Sequence, residues 1–311
     1  RFDDYKPRAE PASGYGGRKV AYADEIRWIP TPDVATRVAA LESGEVDFVD
    51  DLQPDAYEKI KGNPKLRPVI VRPLTWPTAV FNKKEGLMTN LKLRQAIQAV
   101  IDIEPAMQAA AGNPVFYRMD SALSFQEQKA WHTKTAAEQY NTRNKDRAKR
   151  LLQEAGYKGE PIRWITTKEY AWMYNIALVT KQQLEEIGLN VDLQVVDWAT
   201  LVQRRNNPQM YDIFSTGMTL VPDPTQHPYL RCDWPGWTCD EEINRRMDAI
   251  RREPDPKKRM ALWEEIHKLF YERVPVIRYG DLLGLRAMQA HVKGFNEAMA
   301  FPRFYNVWLD K

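Results

Sequence analysis

The spacing of hydrophobic positions changes period twice between residues 170 and 224, and the rest of the chain is arranged around that stretch. Met173, Ile176, Ala177, Thr180, Leu184 and Ile187 recur at three- and four-residue spacing, which predicts a helix with one buried face. Gly188 follows, and glycine readily takes the left-handed conformation that closes a helix. Leu189, Val191, Leu193 and Val195 then alternate with Asn190, Asp192 and Gln194, which is the period of a strand. Asp197 is placed to cap a second helix over 198–205, which stops at Asn206, Asn207 and Pro208, and 211–215 is a short apolar strand. With a strand over 162–165 ahead of them, these segments favour parallel strands joined by right-handed crossovers.

In a parallel open sheet the C-terminal strand ends share an edge, and ligands bind beyond it. Three segments leave such ends here, 168–174, 197–200 and 216–223. They carry Tyr170, Trp172, Tyr174, Trp198, Met218, Thr219 and Asp223. An aromatic rim with few charges suits an organic ligand held by stacking, apolar contact and a few hydrogen bonds. Trp76 and Trp237 are two further rings assigned to ligand contact. The competing reading is that some of these rings fill the space between helices and sheet.

Before that stretch the pattern is also mixed α/β. Residues 1–18 are irregular, and 25–29 read as a strand ending at Pro30. Asp33 caps a helix with Val34, Val38 and Leu41 on one face, and Gly44 ends it. A strand over 46–49 stops at Asp50 and Asp51; a short helix over 54–61 and a strand over 66–71 follow. Residues 72–77 are proline-rich and are expected to turn the chain before an apolar strand at 79–82. Helices are expected over 91–101, from Pro105, and over 144–155. Further on, Asp240 and Asp255 cap two helices, strands lie at 274–279 and 283–287, and the tail from His291 is mostly loop.

Composition narrows the class. The chain has 311 residues, too many for one ordinary core, so two lobes are expected. Hydrophobic content is 43% and charged content 28%, as in soluble globular proteins. Net charge is +3 with the signs interspersed, which gives no nucleic-acid or membrane patch, and no apolar run has membrane-spanning length. The chain opens at Arg1 inside ordinary sequence, so a processed or shortened chain is expected. Cys232 and Cys239 bracket a short loop rich in Pro and Gly. They suit either a disulfide, contributing about 2.5 kcal/mol at most, or two free thiols. A zinc site there lacks a second ligand pair, with His227 alone nearby.

Catalytic patterns are sparse. None of the four histidines, His132, His227, His267 and His291, sits in a nucleophile motif or at His-x-x-x-His spacing. Gly14, Gly16 and Gly17 do not lie between a strand and a helix as a phosphate loop would. Glu45, Asp47, Asp50 and Asp51 are close in sequence, but strand alternation points them to different faces. A binder is therefore favoured over an enzyme. The alternatives are a hydrolase whose paired carboxylates meet only in the fold, and the ligand-sensing domain of a regulator.

Leu41 to Val49, reading Leu-Glu-Ser-Gly-Glu-Val-Asp-Phe-Val, resembles the helix-turn-strand signature of family 5 extracellular solute-binding proteins, the dipeptide and oligopeptide-binding group of ABC importers. Phe81-Asn82 with Leu93-Arg94-Gln95-Ala96-Ile97, the Glu-Ala-Gly-Tyr at 154–157, the run from Gln183 to Gly188, and Asp223-Pro224 are similar to four further motifs, in order along the chain. The resemblance implies a two-lobed periplasmic-binding-protein (type II, Venus flytrap) α/β fold. This chain would hold part of lobe one (1–75), a nearly complete substrate-binding lobe two (76–285) and a return to lobe one (286–311). Hinge crossings would fall at 72–77 and 279–285. It also implies capture of a solute between lobes, delivery to ABC permease transmembrane subunits, and a periplasmic location, or an extracellular, membrane-anchored one. Export makes a Cys232–Cys239 bridge more credible. No cofactor or metal, no nucleic acid and no direct membrane insertion are implied. Asn82 and Arg94 fall in the second motif, with strand-end capping and an interlobe ion pair as their structural readings. Peptide-binding relatives place an acidic residue shortly before the Asp-Pro, where this chain has Leu220, Val221 and Pro222. A peptide's amine would lose that partner, which leaves opines, oligosaccharides, metal chelates and modified peptides open.

Overall fold

The computed structural model describes residues 4–12, 16–31, 33–297 and 301–310. In chain order its first helices and strands are α1 (Val34–Ser43), β1 (Phe48–Leu52), α2 (Tyr57–Lys61), β2 (Leu66–Phe81), α3 (Leu91–Val100), α4 (Ile103–Ala111), β3 (Tyr117–Arg118) and α5 (Lys145–Ala155). These are followed by β4 (Ile162–Thr166), α6 (Ala171–Glu185), β5 (Val191–Val195), α7 (Trp198–Arg204) and β6 (Ile213–Met218). The chain continues with α8 (Glu241–Arg252), α9 (Pro256–Arg273), β7 (Val276–Arg278), β8 (Asp281–Gln289), β9 (Val292–Lys293) and β10 (Trp308–Leu309). The chain forms two compact units, Arg1–Leu74 with Leu283–Lys311, and Thr75–Leu282.

In the first unit, Asp33 accepts a bond from the Thr36 amide at 2.7 Å and caps α1, and Gly44 closes it at φ 79°. β1 runs antiparallel to β8, with Phe48 opposite Met288 and Val49 opposite Ala287. A register irregularity between Val49 and Leu52 lets the strand continue through Asp50 and Asp51, where the sequence suggested it would stop. Val69, Met288, Val292, Phe295 and Val307 form this unit's core, with Phe48 and Phe304 packed on it. The expected strand at 25–29 does not form. That segment has no regular structure, and Ile26, Trp28 and Ile29 are exposed with no ladder partner among the described residues.

The second unit is built on a sheet in the order β2-β6-β4-β5, with β7 also paired to β2. β4 is parallel to β5 and to β6, as the crossover pattern predicts. β2 is antiparallel to β6, from Trp76 opposite Met218 to Phe81 opposite Ile213. The proline-rich 72–77 segment does not turn the chain but lies within β2. A proline removes one donor only, and its carbonyl still pairs: Pro77 O accepts from the Tyr279 amide at 3.5 Å. α7, α8 and α9 cover one face through Leu201, Ile243, Met247, Ile250, Trp263 and Ile266, packed with Phe214 and Ile165 of the strands. α6 packs on β4, β5 and β6 and carries α4.

Asn82 caps the end of β2, accepting from the Lys84 and Glu85 amides and donating to the Tyr211 carbonyl at 3.0 Å. Arg94 is not part of an interlobe ion pair. Its guanidinium donates to the carbonyls of Met88, Arg273 and Val274, all in its own unit, and so caps the end of α9. Burial pushes Arg94 down to about 10, against the opposing pull of Asp240.

Candidate functional site

The three exits from the parallel strands lie along one edge of the second unit's sheet. Tyr170 precedes α6, Trp172 sits in its first turn, and Trp198 opens α7. Tyr170 meets Trp198 edge to face, with ring centroids 5.2 Å apart, and Trp172 at 6.3 Å. Trp172 rests against β6, because a Cβ on Gly217 would lie 2.9 Å from its ring. That close approach is what a glycine inside a strand permits, and it is the signal the sequence offered for it. Thr75 Oγ1 donates to the Met218 carbonyl at 2.9 Å and ties β2 to the same strand end. Lys168 lies 4.7 Å over the ring of Tyr174.

The other nominated residues divide. Thr219 is exposed just after β6, and Leu220, which was not nominated for ligand contact, is 41% exposed beside it. Met218 is buried in the core. β6 runs on to Met218, not to 215, so its side chain belongs to the strand's inner face and not to a loop. Trp76 is wholly buried, edge-on to Tyr229 at 5.1 Å and beneath the Arg278 guanidinium at 4.7 Å. Trp237 lies at the opposite end of β6, stacked on Tyr211 with Lys84 over its ring. It is carried there by the loop that Cys232 and Cys239 close as a disulfide.

The rim carboxylates are already engaged. Glu169 accepts from the Trp198 amide at 3.0 Å. Asp197 caps α7, accepting from the Thr200 amide at 2.8 Å and its hydroxyl at 2.6 Å. Asp223 accepts from the Thr225 amide and hydroxyl and pairs with Arg259. Burial pushes the Asp223 carboxyl up, but Thr225 and the Arg259 guanidinium outweigh it and hold the group below the usual carboxylate range.

An open groove of about 440 Å³ lies at the other end of the same strands, lined among others by Gly86, Asn90, Tyr157, Glu160, Arg163 and Asp212. Its two carboxylates do not make a hydrolytic pair. Asp212 is bridged to Arg163 at 2.9 Å. Glu160 is held low by backbone amides, its own and that of Lys158, the reverse of what a general acid needs. Among the described residues no group of three or more His, Cys, Asp or Glu could hold a metal, and no helix is long and apolar enough to cross a membrane.

The mixed α/β architecture is that of a type II periplasmic binding protein. A solved ABC transporter substrate-binding protein from Listeria monocytogenes matches it with a TM-score of 0.80 at 21% identity, over 90% of this chain and 59% of that one. The oligopeptide-binding protein of Bacillus subtilis, solved with a nonapeptide, matches with a TM-score of 0.74 at 21% identity over the same shares of each chain. In sequence, a probable peptide ABC transporter periplasmic-binding protein of Sinorhizobium fredii is 28% identical over 99% of this chain and 60% of its own length. The profile of bacterial extracellular solute-binding proteins, family 5 (middle), matches residues 1–236, and the chain belongs to that family. It spans about 60% of the length of that first relative.

Proposed function

We propose that this protein is the solute-binding component of an ABC importer, capturing a peptide-like or other small organic solute outside the cytoplasm and delivering it to membrane permease subunits. The reading rests on one observation: in a family of extracellular solute-binding proteins, the strand C-terminal edge of unit Thr75–Leu282 carries Tyr170, Trp172 and Trp198 as one row of rings. Thr219 and the exposed Leu220 follow the C-terminal end of β6 and are assigned to the same site. Asp223 serves it indirectly, holding the loop after β6 through Thr225 and Arg259. The two units correspond to parts of lobe one and lobe two, and the protein releases its solute unchanged. Such a solute selects the conformation it binds best, and the permease reads that conformation.

Native purification followed by mass spectrometry of small molecules released on denaturation tests the proposal. A stoichiometric solute, recovered intact and rebound by the stripped protein, is expected. Conversion of the recovered compound during rebinding contradicts it, as does failure of any solute to rebind.

A further inference from the structure

The aromatic edge also says something about the chemistry of the solute, given the solute-binding reading above. We infer that the part of the solute meeting unit Thr75–Leu282 presents an uncharged ring, either a sugar ring or an aromatic side chain, and not an ammonium group. The first ground is what the edge offers. Tyr170 is 42% exposed, and Trp172 and Trp198 are half-buried around it. The three rings meet at interplanar angles of 50° and 80°, so they do not cover one another as a face-to-face stack would. Trp172 is backed by the bare backbone of Gly217, which fixes the ring as a platform. Arg205 lies 5.7 Å over the Trp198 ring and holds it from the side of α7.

The second ground is what the edge withholds. The three exits hold three carboxylates, Glu169, Asp197 and Asp223. Each already accepts a bond from its own unit: from the Trp198 amide, from Thr200, and from Thr225 with Arg259. Of the three, Asp223 is paired with the Arg259 cation, while Glu169 and Asp197 keep their charge but direct it at the start of α7, where they accept from the Trp198 and Thr200 amides. An ammonium entering here would also meet the Lys168 ammonium, 4.7 Å over Tyr174. A ring asks for none of these groups. It gains area on the exposed part of Tyr170 and the accessible parts of Trp172 and of Trp198, whose ring is partly packed on the core, and hydrogen bonds from hydroxyls such as Thr219.

Isothermal titration with three probe sets separates the possibilities: cello-oligosaccharides, N-acetylated aromatic amino-acid amides, and unprotected glycine peptides. Binding by one of the two ring sets is expected, and the set that binds identifies the source of the ring. Tyr170→Ala and Trp172→Ala should each weaken it at least about fivefold. Trp172→Phe, which keeps a ring, should restore most of the loss, and circular dichroism checks that each variant is folded. Glycine-peptide binding as tight as that of the ring probes overturns the ring assignment while leaving solute capture standing, as does binding unchanged in both folded alanine variants. Silence of every probe overturns the ring assignment, while solute capture stands or falls on the native-purification experiment above.

Discussion

Trp172 keeps its place because the residue beneath it has no side chain. A Cβ at Gly217 would lie 2.6 Å from Thr75 Oγ1 and 2.9 Å from the Trp172 ring, closer than packed atoms approach. Gly217→Ala should therefore cost about 1–3 kcal/mol by overpacking and shift the ring. Urea unfolding checks this, and an unchanged midpoint would show that the ring does not rest there. A second residue-scale effect is buried deeper. His227 lies parallel to Trp263 at 5.6 Å, and His267 meets the same ring edge-on at 5.0 Å. Burial, helped by the charge of Arg278, pushes His227 down to about 3; burial, helped by His227, does the same to His267. An unfolded chain binds these protons near pH 6.5, so between 6.5 and 3 it holds more protons than the folded one. Stability is then complete above pH 6.5 and falls as pH drops, by up to about 1.4 kcal/mol per pH unit for each ring. Denaturation between pH 7 and 5 should show that slope, and His267→Phe should roughly halve it. A slope unchanged by the substitution would place the titration elsewhere.

At the scale of elements, caps and period carried most of the information. Asp33, Asp197, Asp240 and Asp255 each cap the helix their position suggested, and Asn144, read as a helix's first residue, caps that helix. Tyr170, Trp172 and Trp198 were legible as one edge because they follow strand ends that period alone locates. Met218 was not, since β6 outruns its apolar run through Ser215, Thr216 and Gly217, held there by pairing with β2. Trp76 sits in a proline-rich stretch that reads as a turn until its partners on β6 are known. Trp237 is placed by a disulfide loop folding back over the start of β6, a long-range packing that no local spacing encodes. One cap does double service. Asn90 accepts from the Lys92 and Leu93 amides at the start of α3 and donates to the Ala155 carbonyl at the end of α5. Asn90→Ala should remove about 1–2 kcal/mol, at the upper end of ordinary caps, because two helix termini lose a partner together. A loss under about 0.3 kcal/mol in the same unfolding experiment would make the second bond immaterial.

Over the whole chain, the sheet of the second unit has two candidate faces for chemistry. Its C-terminal edge carries the rings, and its N-terminal edge carries the groove around Arg163 and Asp212. The rings are favoured because they offer stacking surface to an organic solute, whereas the residues lining the groove include a single aromatic, Tyr157. Hydrogen exchange with and without the solute recovered from native purification separates the two. Bound solute should slow exchange across 168–174, 197–200 and 216–223, with little change elsewhere in that unit. Protection confined to 86–93 and 155–163, around the groove, would contradict the aromatic edge as the place where solute is held.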